Sequence, residues 1–153
     1  MCKQKQAGFT LLEIMIVAVI VGLLAAIAIP AFRKTQIAAQ NSRLANDLRV
    51  FAGQIEIFTL ETGDYPEDST TGQVPTGLEE YINVANWEAG PSIGGQFDVE
   101  YADSNILSGV GVVGFNANDS QLLDFENTYD DGDFGTGRYQ KISGTRFYYV
   151  IAE

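Results

Sequence analysis

Residues 9–29 form a run of 21 positions in which only Glu13 is charged. As a helix this run measures ~31 Å, the thickness of a bilayer's hydrocarbon core. A carboxylate at the bilayer centre costs on the order of 3 kcal/mol. Glu13 therefore needs either a place in the headgroup zone, as in a simple signal anchor, or a positive partner.

The flanks of the run narrow the choice. A secretory signal places its small-residue cleavage site after the apolar segment. Here no Ala-x-Ala site follows Ile29, and the chain passes through Pro30 into a helical pattern. The small residue comes first, at Gly8, behind a polar leader (residues 1–7) that carries Lys3 and Lys5. The hexapeptide Gly8-Phe9-Thr10-Leu11-Leu12-Glu13 resembles the signature of the type IV pilin-like proteins, and the resemblance covers residues 8–30. It implies that a membrane-embedded prepilin peptidase cuts after Gly8 and methylates the new amine on Phe9. It also implies that Glu13 pairs with the N-terminal amine of a neighbouring subunit during assembly. Such a pair makes physical sense, because each charge offsets the other's burial and a mispaired subunit leaves both unsatisfied.

Without leader and anchor, roughly 120 residues remain, enough for one compact domain. The formal charge of -11 becomes -13 once the leader's two lysines are gone. Between Val50 and Gly137 there are 17 Asp and Glu and no Lys or Arg. Such a surface repels nucleic acid and anionic lipid, so no nucleic-acid partner is expected, and it attracts divalent cations. A solvated acidic coat, typical of exported proteins, is the simpler single explanation. Cys2 is the only cysteine and falls in the leader, so the mature chain is expected to hold no disulfide. The chain has no histidine, which excludes Ser-His and zinc-His chemistry.

Along the chain, Pro30 lacks an amide proton and is expected to kink the first helix, while Gly22 weakens it. Leu44, Leu48, Phe51, Ile55 and Phe58 then recur at steps of four and three as one core-facing stripe. Asn41, Arg43, Asn46, Asp47, Gln54 and Glu61 mostly populate the other surface. The helix should end at Thr62, with Gly63 as a left-handed cap. Gly63-Asp64-Tyr65-Pro66 resembles the Gly-x-Tyr-Pro step of type II secretion pseudopilins; Tyr-Pro would also turn the chain back along the helix on its own account. A polar loop (residues 67–75) leads to Thr76-Gly77-Leu78-Glu79, which reads as a capping box opening a short helix to Asn83. Trp87 is expected to plug the core rather than to serve as a ligand platform. Residues 97–101 and 110–115 read as neighbouring strands, and residues 121–127 as a helix capped by Asp119 or Ser120. Residues 138–142 and 146–151, around a Ser143-Gly144 turn, read as a hairpin.

The densest acidic cluster is Asp130-Asp131-Gly132-Asp133, followed by Phe134-Gly135-Thr136-Gly137. Carboxylate and carbonyl oxygens of a tight loop are what calcium selects, although no EF-hand spacing is present. The major pseudopilins of type II secretion bind calcium in a C-terminal loop. Their loop sequence is not reproduced here, so a calcium site at Asp130, Asp131 and Asp133 and a solvated acidic turn both stay open. Asp119 and Asp124 are candidate further ligands.

The expected fold is α+β: a long N-terminal helix, first membrane span and then amphipathic spine, packed on a small antiparallel sheet. Its parts are a leader (residues 1–8), a membrane or filament-core helix (9–30) and a pilin-like head (31–153). The resemblance implies a structural subunit, processed and polymerised into a type IV pilus-like filament or a type II secretion pseudopilus. Its partners would be copies of itself, the prepilin peptidase, an inner-membrane assembly platform and minor pseudopilins. It would cross the inner membrane once before assembly and end in a periplasmic or cell-surface filament. The alternative is a minor pilin that binds a ligand or surface at the filament tip. With no histidine, no mature cysteine and no phosphate loop, only carboxylate chemistry is left, so no enzyme is expected.

Overall fold

A computed structural model describes residues 9–103 and 106–153. Its elements run α1 (Leu11–Thr62), a 3₁₀ turn (Leu78–Glu80), α2 (Val84–Glu88), β1 (Gln96–Asp103), β2 (Ile106–Val113), α3 (Asp119–Tyr129), β3 (Tyr139–Ser143) and β4 (Arg146–Ala152). Two compact units divide the chain between Ala38 and Ala39.

In the first unit the large apolar side chains from Phe9 to Phe32 all lie exposed. The helix runs through Pro30 without interruption, so the proline removes one backbone bond and does not end the element. Among the described residues α1 alone is long and apolar enough to cross a membrane, with mean hydropathy 2.9 over 18 residues. It is a candidate membrane anchor.

The second unit is built on the stripe. Leu44, Leu48, Phe51 and Ile55 are buried, and Phe58 packs at the rim. Asn41 departs from expectation: it is buried rather than on the outer surface. Its amide donates to the Gln121 carbonyl at 3.2 Å and accepts from the Gln121 side chain at 3.1 Å, tying α1 to α3. At the helix end Gly63 takes φ 88° and its N–H meets the Thr59 carbonyl at 2.9 Å, the left-handed cap the sequence predicts.

Among the described residues the strands form one antiparallel sheet in the order β1-β2-β4-β3. The chain crosses from β2 through α3 to the outer strand β3, then returns with β4 to the middle. Phe97, Val99, Val110, Val112 and Phe147 join α1's stripe, α3 and Trp87 in one core. The opposite face is built in cross-strand rows. Asp98, Gly111 and Tyr148 stand opposite one another on three strands. Gly111 leaves room for the Tyr148 ring, since a Cβ there would come within 2.5 Å of it. The ring crosses the glycine and its hydroxyl donates to Asp98 at 2.5 Å. Arg146 pairs with the buried Glu100 on the same face.

Several local expectations need correction. Thr76–Glu79 is not a capping box: the Leu78 N–H bonds the Pro75 carbonyl at 3.0 Å across a turn with Gly77 at φ 86°. That type II geometry needs its glycine, and the Glu79 carboxylate accepts the Gly77 N–H at 2.7 Å instead. Only a 3₁₀ turn follows. The cap of α3 is Asn118, whose side chain accepts the Gln121 N–H at 2.9 Å, not Asp119 or Ser120. The second strand begins at Ile106, four residues early, because it pairs along the whole of β1. The β3–β4 turn is Gly144-Thr145, since Ser143 already pairs with Arg146.

Candidate functional site

At the N-terminus, Gly8 lies outside the described residues. Phe9 is 84% exposed. Thr10 is the cap of α1, and Glu13 is the third residue of the helix. The two form a reciprocal box: the Thr10 N–H and hydroxyl both donate to Glu13 Oε2, at 2.8 and 2.9 Å. The Glu13 N–H returns a 3.3 Å bond to the Thr10 hydroxyl. Thr-x-x-Glu at a helix start is sufficient to create this. The box fixes one carboxylate oxygen, while Oε1 accepts no hydrogen bond among the described residues. Glu13 is thus held in place by its own chain, with one oxygen left for an outside donor.

The acidic loop assembles differently from the expected triplet. Carboxylate oxygens of Glu126, Asp130 and Asp131 lie within 4.8 Å of one another. Glu126 is fully buried, and neither of its oxygens has a hydrogen-bond partner. Burial first, and then the charges of Asp130, Asp131 and Asp133, push its acid up to about 8. Asp133 stands outside the group; its Oδ1 accepts the Gly135 N–H at 2.9 Å. Asp119 is taken up by Lys141 at 2.5 Å, and Asp124 is outside the group too. Asp130 also holds the loop together, because its Oδ2 accepts the N–H groups of Arg138 and Tyr139 at 2.5 and 2.7 Å. Asp131 accepts the Asp133 N–H at 2.9 Å and the Thr136 hydroxyl at 2.8 Å.

Sequence reasoning missed Glu126, although the signal was there. Glu126 and Asp130 are four residues apart at the end of a helix and so share its face. An orphaned buried carboxylate among two more carboxylates is a donor set for a hard cation such as calcium. Trp87 offers no platform: it is 2% exposed, its Nε1 donates to the Gly72 carbonyl at 3.1 Å, and Phe51 packs edge-on at 5.1 Å.

Comparison with known proteins bears on the N-terminal stretch and on about half of the chain. Residues 3–29 match the model of the prokaryotic N-terminal methylation motif. The chain is 35% identical over 85 residues to the type II secretion system core protein G of Klebsiella pneumoniae, covering 56% of each chain. It is 34% identical over 83 residues to core protein G of Aeromonas hydrophila, covering 54% of each. A fimbrial protein, EcpC of Eikenella corrodens, is 36% identical over 84 residues, covering 54% of this chain and 55% of that one. The chain spans about half the length of the curated relatives it matches. No solved structure matches. The similarity thus lies in the methylation motif and in about half of the chain's length.

Proposed function

We propose that this chain is a structural subunit, cut after Gly8, methylated on Phe9 and polymerised into a filament of the type II secretion pseudopilus kind. One observation carries the reading. A helix exposing large apolar side chains from Phe9 to Phe32 begins with a methylation motif and a capped carboxylate. Apolar surface on that scale requires cover, first by the inner membrane and then by the helices of other copies. Glu13, with Oε2 held by Thr10 and Oε1 open, is the acceptor for a neighbour's N-terminal amine. The prepilin peptidase, an assembly platform and minor pseudopilins are the further partners. The similarity to core protein G favours the secretion pseudopilus over the pilus.

Two variants test this. Replacing Gly8 with a bulky residue should leave the protein uncleaved in the membrane; a normal mature mass would refute the peptidase step. Glu13→Ala should insert normally yet stop assembly, and full-length filaments from it would refute the pairing.

The second element of the reading is a divalent cation, calcium by oxygen chemistry, held by Glu126, Asp130 and Asp131. Its support is the unpartnered Glu126 carboxylate. Chelation should lower the head's melting temperature in wild type but not in Glu126→Gln. Equal responses to chelator would refute the site.

A further inference from the structure

The described residues contain seven cations, and five are occupied. Arg43 pairs with Asp47, Lys141 with Asp119 and Arg146 with Glu100. Arg49 and Arg138 lie over the rings of Tyr129 and Tyr149. Arg33 and Lys34 are both exposed, and among the described residues they form neither an ion pair nor a ring contact. No carboxylate occurs in residues 14–46, so no helical neighbour can neutralise them.

The matching deficit lies in the second unit. A groove of about 530 Å³ opens at the carbonyl end of α1, lined by Phe58, Tyr65, Asp64, Glu67 and Asp68 among others. The three acids are exposed and form no ion pair among the described residues. The last turn of α1 has no basic residue, so the negative end of the helix dipole is uncompensated as well. The field of Asp68 reaches inward: after burial, it is among the charges that push the acids of Asp98 and Glu100 up. Phe58 and Tyr65 add aromatic rings to the lining, and a guanidinium is attracted to aromatic rings.

We infer that Arg33 and Lys34 of one copy dock in the acidic groove at the carbonyl end of α1 of a second copy. The inference rests on the polymer reading above and specifies which surfaces meet. The two patches are different and complementary. Contact between them is heterologous, so it does not make a two-fold dimer, and with a rotation that does not close into a ring it builds an open helical array. The pairs also set register between heads.

The test uses filaments made in cells. With Cys2→Ser as background, Lys34→Cys combined with Glu67→Cys should give, on mild oxidation, a ladder of covalently linked copies that neither single cysteine gives. Filaments of normal length with no ladder would overturn the inference. Separately, Arg33→Glu with Lys34→Glu should cut filament yield on the order of ten-fold, since each exposed pair contributes little but repulsion replaces attraction. Adding Asp64→Lys and Glu67→Lys should restore the yield, with the head's melting temperature unchanged throughout. Loss of yield on reversing the groove alone, with Arg33 and Lys34 dispensable, would mean that another cationic partner fills the groove and would overturn the pairing. A wild-type chain that forms no filament at all would end the polymer reading and this inference with it.

Discussion

The two stretches of α1 use apolar residues in opposite ways. Before Phe32 the large apolar side chains face every direction and all are exposed; from Leu44 to Ile55 all but Val50 of the large ones keep to one stripe and are buried. The later stretch has its partners within its own unit: Phe51 meets Trp87 and Phe97 edge-on at 5.1 and 5.0 Å. A lone helix that is apolar all round cannot hide that surface by any rearrangement of its own. The head thus buries its stripe within its own unit, whereas the large apolar side chains of the first stretch stay exposed among the described residues.

The sharpest way to break this contrast is truncation in one stretch and then the other. Phe51→Ala should cost the head about 3–5 kcal/mol in a thermal melt, while Ile16→Ala leaves that melt unchanged. A chain lacking residues 1–38 should melt with the full-length head; a lower midpoint would show that the first stretch supports it. Next in size, saturating cation at about a hundred times its dissociation constant should stabilise the wild-type head by about 2.7 kcal/mol. Asp131→Asn and Glu126→Gln should each reduce that gain, as read in melts with and without chelator. Gly111→Ala forces a methyl into the Tyr148 ring and the Phe147 carbonyl, and overpacking of that kind costs about 1–3 kcal/mol.

Acid titration of the head is a gentler probe. Burial raises the acids of Asp98 and Glu100 above their ordinary 3.8 and 4.5. A raised carboxyl contributes stability that is fully present below its ordinary value and is lost as pH rises through the folded value. These two groups should therefore lower the melting temperature from about pH 4 upward, and Asp98→Asn should flatten part of the slope. Asp131 works in the opposite sense. The Asp133 N–H and the Thr136 hydroxyl hold its acid down, so its contribution is lost as pH falls. The smallest effect falls on the first stretch: Thr10→Ala should cost about 1 kcal/mol of cap, seen as faster amide exchange near Glu13 and not in the head's melt.

The pattern of apolar residues made both stretches of α1, the Gly63 cap, Trp87's burial and the final hairpin readable in advance, since each depends on local spacing or on one dominant side chain. Two Thr-x-x-Glu segments show where such reading stops. At Thr10–Glu13 the box forms, with no glycine between its ends to take a left-handed turn. At Thr76–Glu79 the same spacing fails, because Gly77 in a left-handed turn takes the backbone first. The acidic site shows a second limit. Asp130, Asp131 and Asp133 were visible as a cluster, but the group closes on Glu126, which comes from the preceding helix and is defined by burial. The row of Asp98, Gly111 and Tyr148 spans three strands and depends on a register no single stretch contains.

The first residue of the working chain is the decisive quantity. Filaments sheared from native cells, pelleted and weighed by intact-mass spectrometry, should contain this chain beginning at a methylated Phe9. A pellet carrying the chain with residues 1–8 still attached, or filaments without the chain at all, would contradict it.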